Sequence, residues 1–313
     1  DRRPDTGPPP TVPAPTFLDR IDLLMPGSEV RATCHLDLER DEWLRDHVID
    51  GTPLLPGVMG VELMAQAASL LFPGMHFVGV DDLDIALAVK IFPAHPLDVQ
   101  ISGRVLDDPD GGEQRVAVRI TSDFESPNGK VRVRDRLHYT ATIHLSPNQP
   151  RPPVSADDPA APCDAIVGRD SLYGSIGVLP HGPVFRVLDE VRFVDDRSSG
   201  RLASLSEDRL TAARGGGELL TAPLACEAAF QAAGLFGLLR LNRQGLPGGY
   251  RRMRSFSRPD SLEKLHAFAR PRAGAPMGSP EFDVEVTGPG GRVYQRIEGF
   301  RLVGLNDFEG ESR

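Results

Sequence analysis

The sequence predicts an α+β protein made of one unit used twice. Three observations carry that prediction. A proline-rich stretch, PNQPRPPVSADDPAAPC at 147–163, holds six of the 29 prolines, lacks apolar periodicity and cuts the chain near its middle. Each half holds one long apolar helix rich in small residues. Each of those helices is followed by about four β-like runs rather than by alternating strands and helices, which argues against a βαβ sheet.

In chain order, residues 1–16 hold six more prolines and read as a linker, 17–146 as the first unit, 147–165 as a second linker, 166–306 as the second unit and 307–313 as a tail. Proline-rich linkers are extended and fairly stiff, so both are expected to act as spacers. In the first unit an extended segment at 29–36 leads into a polar loop. A helix then starts at Pro56–Gly57, because proline is tolerated in the first turn, and runs to about Phe72. It carries Gly60, Ala65, Ala67 and Ala68. Strands are expected at 76–93, 96–106, 114–123 and 130–145. In the second unit a loop at 171–185 precedes strands at 187–195 and 200–206. A helix follows from about Ala222 to Leu241, and then strands at 249–257, 262–270, 280–287 and 292–304. A helix apolar on most faces is a buried one, and antiparallel strands wrapped around it would bury it.

Composition narrows the function. With 35 basic and 44 acidic residues the formal charge is −9, unfavourable for binding phosphate backbones. The short basic run Arg251, Arg252, Arg254, Arg258 reads as a solvated face. Three cysteines without a CxxC are expected to be reduced thiols of a cytoplasmic protein, neither a disulfide framework nor a thiolate zinc site. No apolar run is read as reaching the roughly 18 residues of a membrane span. The chain begins with Asp inside the proline-rich stretch, as a segment of something longer would.

The most informative segment is DHVIDGTPLLPGVMG. His47 precedes a loop with Gly51, Pro53 and Pro56. The first amides of the following helix have no internal partner and carry the positive end of its dipole. Gly57 offers its N–H without a side chain in the way, so a carbonyl oxygen docked there would have developing negative charge stabilised. Histidine titrates near neutrality and is suited to removing a proton alpha to such a carbonyl. Spacing alone is equally met by a loop histidine before an ordinary proline-started helix.

The run His47-xxx-Gly51-xxxx-Pro56 resembles the HxxxGxxxxP motif of dehydratase domains from polyketide synthases and related fatty acid synthases. The longer stretch to Ala68 is most similar to those of iterative and polyunsaturated fatty acid synthases. LYGSIGVLPHGPVFR resembles the second motif, a glycine followed by YGPxF: Gly177 and Gly182-Pro183-x-Phe185 match, and His181 replaces the tyrosine. APLACEAAFQAAGL resembles the third, a proline followed by DxxxQ or DxxxH on the second central helix. Pro223 and Gln231 match, and Glu227 stands where the family has Asp. Positions 227 and 231 are i and i+4, on one helix face.

The resemblance covers about 17 to 305 and implies a double hotdog fold: two fused units, each a long central helix wrapped by a curved antiparallel sheet. It implies a lyase that removes water from a 3-hydroxyacyl thioester. His47 would be the base, and Glu227 the acid for the leaving hydroxyl. Gly57 would hold the thioester carbonyl, and Gln231 would hold the acid or the substrate hydroxyl. His181, Gly182, Pro56 and Tyr173 would be substrate contacts, with a packing role open for His181. No metal or redox cofactor is implied. The substrate would arrive on the phosphopantetheine arm of an acyl carrier protein, through an apolar tunnel with a positive or neutral mouth. Neighbouring synthase domains are implied partners, and a homodimer is common in the family. Neither a nucleic acid nor a membrane is.

Glutamate for aspartate moves the carboxyl by about one C–C bond, roughly 1.5 Å, and a misplacement of that order costs about a hundredfold in rate. A working variant, an altered substrate geometry and a decayed structural domain all fit. An enoyl isomerase or a thioesterase-like hotdog enzyme would use the same histidine. Elsewhere, Glu62 is a further candidate for the tunnel. Trp43 and Phe92 read as core or surface residues, and His138 and His144 as one sheet face. The Asp pairs at 81–82, 107–108, 157–158 and 195–196 read as loop residues without cation-site spacing.

Overall fold

The computed structural model describes residues 15–93, 95–106, 112–125, 132–174, 178–194, 196–275 and 279–304. Most of residues 1–16, the tail from 307, Asp107, Asp108, Asp195 and Gly177 lie outside them.

The first unit contains β1 (Arg20–Met25), β2 (Glu29–Leu36), a small ribbon of β3 (Val48–Ile49) and β4 (Thr52–Pro53), helix α1 (Gly57–Ser69), then β5 (His76–Ile85), β6 (Leu97–Leu106), β7 (Gln114–Glu125) and β8 (Arg132–Ser146). The second contains β9 (Ala165–Gly168), α2 (Arg169–Tyr173), β10 (Leu188–Val194), β11 (Arg197–Leu202), α3 (Asp208–Thr211) and α4 (Pro223–Leu241). It ends with β12 (Leu246–Ser255), β13 (His266–Pro271), β14 (Glu281–Thr287) and β15 (Val293–Val303).

Thirteen strands form one antiparallel sheet in the order β1-β2-β6-β7-β8-β5-β12-β15-β14-β13-β11-β10-β9. Read outward from the β5–β12 seam, the two sides repeat: β5, β8, β7, β6, β2 on one and β12, β15, β14, β13, β11 on the other. This is the double hotdog. At the seam Gly249 pairs with Asp84 and Arg254 with Gly79. Gly249 has φ +134°, and a Cβ there would lie 2.0 Å from the Leu83 carbonyl oxygen, so only glycine lets the two backbones close.

Strand alternation aims Val99 and Ile101 of β6, and Tyr139, Ala141, Ile143 and Leu145 of β8, at the core. Eleven consecutive residues of α1, Val58 to Ala68, are buried. Its small residues are required: a Cβ on Gly60 would fall 2.0 Å from the Tyr139 ring. In α4 proline stands in the first turn, where its missing N–H costs no bond. The helix is long and apolar enough to cross a membrane by length and composition, contrary to the expectation from sequence. It is mostly buried and packs on β13, β11, β14 and α1, so it is a core helix.

Several expectations are adjusted. α1 ends at Ser69 instead of Phe72, and β5 at Ile85, after which the chain runs irregularly with Leu54 bridged to Lys90. β1 and β9 are additional strands, and the 171–185 loop holds the end of α2 and a 3-10 turn at Pro183–Phe185. The middle linker is docked and is not a free spacer. Ser155 N–H donates to Gly291 O, Val293 N–H donates to Pro153 O, and Arg270 grips Asp157. Proline withdraws one donor, but its carbonyl and its neighbours still pair with the turn between β14 and β15. Cys34, Cys163 and Cys226 are free thiols. Trp43 packs edge-on to Phe17 in the core, and Phe92 is half exposed.

The units are also riveted through side chains. Arg214 of the second unit forks onto buried Asp41 of the first, at 2.7 and 2.8 Å. Glu62 of α1 accepts from Leu220 N–H, Thr221 N–H and Thr221 Oγ1–H, at 3.0, 2.9 and 2.6 Å. Those donors directly precede α4.

Candidate active site

A cavity of about 250 Å³ opens where α1 and α4 meet. Its lining includes His47, Gly57, His181, Glu227 and Gln231, together with apolar residues from both units.

His47 lies between the 3-10 turn Glu42–Asp46 and β3. Its carbonyl receives the Leu54 N–H at 3.0 Å, and its Nδ1 lies 3.1 Å from Leu54 O. The short ribbon thus folds back to seat the ring. Nδ1 carries the proton as donor to that carbonyl, and Nε2 is left as the basic nitrogen. Burial pushes the imidazole down to about 4, so it is neutral at physiological pH.

Gly57 is the first residue of α1, and its N–H has no intrahelical partner. Pro56 supplies the turn into the helix and sits behind the lining. Tyr139 O–H donates to Leu55 O at 3.1 Å and steadies the same entry.

Glu227 is buried on α4, and burial raises its carboxyl to about 7. Gln231 Nε2 donates to Glu227 Oε1 and to Phe185 O, both at 2.9 Å, while its Oε1 accepts from Tyr173 O–H. Tyr173 O–H also receives the Leu188 N–H at 3.1 Å. Tyr173 therefore stands behind Gln231, outside the cavity lining. It orients the amide, where the sequence suggested a substrate contact. Gly182 is likewise behind the lining, its N–H taken by Asp46 O at 2.7 Å.

His181 reaches the cavity between the two units. It bridges to His47 as an isolated β pair, with ring centroids 5.5 Å apart. Its Nε2 is 3.5 Å from Glu227 Oε1, and its Nδ1 is buried without a partner among the described residues. Burial and the neighbouring His47 hold its pKa at about 3.

Asp46, which sequence reasoning passed over, makes this meeting possible. Its carbonyl takes Gly182 N–H, and its Oδ2 takes Val184 N–H at 2.8 Å. A Cβ on Gly182 would lie 2.1 Å from Asp46 Oδ1. The sequence carries no signal for this contact, because the partners of Asp46 are backbone N–H groups. Glu62 is away from the cavity, committed to Leu220, Thr221 and Gln66. Apart from Glu227, the two histidines and Tyr139, the titratable side chain among the described lining residues is Asp50, which is exposed.

Comparison with known proteins places this geometry. Residues 17–123 match the family described as polyketide synthase dehydratase domain, and 151–309 match polyketide synthase dehydratase N-terminal domain. A polyunsaturated fatty acid synthase polypeptide from Thraustochytrium sp. is 28% identical over 157 residues, half of this chain and 5% of that protein. The 3-hydroxyacyl-[acyl-carrier-protein] dehydratase FabZ of Levilactobacillus brevis is 40% identical over 55 residues, 18% of this chain and 36% of that enzyme. The chain thus spans a small part of the curated relatives it matches. A crystal structure of a trans-AT polyketide synthase dehydratase domain from Brevibacillus brevis superposes with a TM-score of 0.71 at 19% identity, covering 92% of this chain and 97% of that one. The repeated sheet, the paired central helices and the two matches that together span nearly all of both units lead to one assignment: the chain belongs to the polyketide synthase dehydratase domain family.

Proposed function

We propose that the chain removes water from a 3-hydroxyacyl thioester presented on the phosphopantetheine arm of an acyl carrier protein. The observation that carries this reading is the pairing, across one cavity, of a neutral histidine with a carboxyl that burial keeps protonated up to about 7. An elimination needs both forms at once.

The thioester oxygen accepts the Gly57 N–H, where the α1 dipole favours the charge that develops. His47 Nε2 takes the proton from C2. The C2–H electron pair becomes the C2=C3 double bond, and the C3–O bond breaks. The departing hydroxyl takes the Glu227 proton and leaves as water. The product is a 2-enoyl thioester, with His47 cationic and Glu227 anionic. His181 lies beside both, where the proton must be returned from one to the other. Gln231 and Tyr173 hold the carboxyl in line. The reaction needs no metal or redox cofactor.

The partners implied are a carrier protein, adjoining synthase domains and a second copy of the chain. Three free thiols support a cytoplasmic setting. The test is an assay with both epimers of a 3-hydroxyacyl pantetheine thioester, read by mass for loss of water, with His47→Ala and Glu227→Gln alongside. Conversion that both variants abolish is the expected result. Loss in the His47 variant alone points to an isomerase-like site, and no conversion by the parent points to a structural domain.

A further inference from the structure

Gly234 of α4 has no conformational or packing reason to be glycine. Its φ is not in the left-handed region, and a Cβ built on it meets nothing within 4 Å. Glycine within a helix is destabilising relative to alanine, because more backbone freedom is lost on folding. The residues around it, Ala232, Ala233 and Leu235, are fully buried, while Gly234 itself is partly open, onto the cavity it lines. What its missing side chain provides is empty space in the cavity wall.

That space lies in the path of the substrate. Positions 227, 231, 234 and 238 succeed one another along a single face of α4, and all four line the cavity. If C1 is held at Gly57 on α1 and the C3 hydroxyl at Glu227 on α4, the direction from C1 to C3 carries C4 and beyond onto this face. From Glu227 to Leu238 the helix rises about 16 Å. At about 1.3 Å per zigzag C–C bond that is room for about twelve bonds. Leu246, Pro247 and Leu302 line the same cavity, and exposed Gln244 belongs to its rim, so among the described residues this part of the wall is mainly apolar.

We propose that this groove is the channel for the acyl tail, that the bare backbone of Gly234 sets its bore, and that the enzyme accepts linear acyl chains of about ten carbons or more. The proposal rests on the dehydratase reading for the placement of C1 and C3.

The test compares the parent with Gly234→Ala and Gly234→Leu. Saturated butanoyl and dodecanoyl pantetheine thioesters, which cannot lose water, report binding by calorimetry. Their 3-hydroxy counterparts report turnover. The parent is expected to prefer the longer chain. Gly234→Leu should cut the long-to-short ratio at least tenfold in Kd and in kcat/KM, while Gly234→Ala, with a raised Tm, verifies that α4 tolerates a side chain. A parent without length preference overturns the proposal. So does an equal loss for both lengths, which is what a position facing the shared pantetheine arm would give. Length-dependent binding that Gly234→Leu abolishes, without turnover by the parent, leaves the channel standing and defeats the dehydratase reading.

Discussion

His181 Nε2 stands 3.5 Å from Glu227 Oε1, and near neutral pH the two do not form an ion pair. Burial holds the imidazole at about 3 and the carboxyl at about 7, so each is uncharged through most of the range between. The separation is long for a hydrogen bond. The acid therefore keeps its proton available to a third group placed between them and His47.

The pH profile should follow. His47 must be neutral, which holds above about 4, and Glu227 protonated, which holds below about 7. A plot of kcat/KM for a 3-hydroxyacyl pantetheine thioester is expected to be bell-shaped with limbs near those values. An alkaline limb above pH 9 would remove Glu227 from the role of acid.

Stability should show the same carboxyl. Its folded pKa is raised from 4.5 to about 7, so the native state holds an extra proton between those values. Stability then falls as pH rises through that window, by about 3 kcal/mol in full. Glu227→Gln deletes this dependence. The lowered values of His47 and His181 act oppositely, losing stability as pH falls below 6.5, but they are common to both proteins. Thermal melts at pH 5 and pH 8 should show the variant gaining on its parent at the higher pH. A constant difference in Tm would contradict a buried, protonated Glu227.

Asp46 should matter to rate as well as to folding. Asp46→Ala frees the Val184 N–H and loosens the turn that delivers His181, with an expected drop in kcat of about tenfold and a stability cost of about 1–3 kcal/mol. Asp46→Asn retains an acceptor oxygen and should restore most of the rate. Steady-state kinetics of the pair separates this clamp from a generic fold defect, which asparagine would not repair in kcat alone.

Glu62 should matter to folding. Four donors converge on its carboxyl: Leu220 N–H, Thr221 N–H, Thr221 Oγ1–H and Gln66 Nε2–H. Glu62→Ala leaves them buried and unpaired, at an expected cost of about 3–5 kcal/mol in urea unfolding. Glu62→Gln, with one acceptor kept, should cost less. A loss below about 1 kcal/mol in the alanine variant would mean that water replaces the carboxyl at no penalty.

The first motif was legible because His47, Gly51, Pro56 and Gly57 lie within eleven residues, where turn chemistry and a helix start fix their relation. Glu227 and Gln231 were legible because a helix puts i and i+4 together. The duplication was visible as one helix followed by strands, twice, although the sequence did not disclose the order of strands around the seam. Asp46 was not legible because its partners are the backbone N–H groups of Gly182 and Val184, and the seat of His47 was not because Leu54 O is itself a backbone group; neither has a residue-type signature. Glu62 was misplaced for a different reason: α1 is buried on every face, so periodicity does not tell which side looks at the cavity. Tyr173 lay in the right motif, but one layer behind the side chain it orients.

The two central helices carry the same acid–amide pair, Glu62 with Gln66 and Glu227 with Gln231, closed at 2.8 and 2.9 Å. One pair looks into a cavity, while the other is sealed under Leu220 and Thr221. On the proposed reading a pseudo-symmetric molecule has one centre per chain, and its binding stoichiometry should be one substrate analogue per chain. Any cooperativity between sites would then have to arise between separate chains.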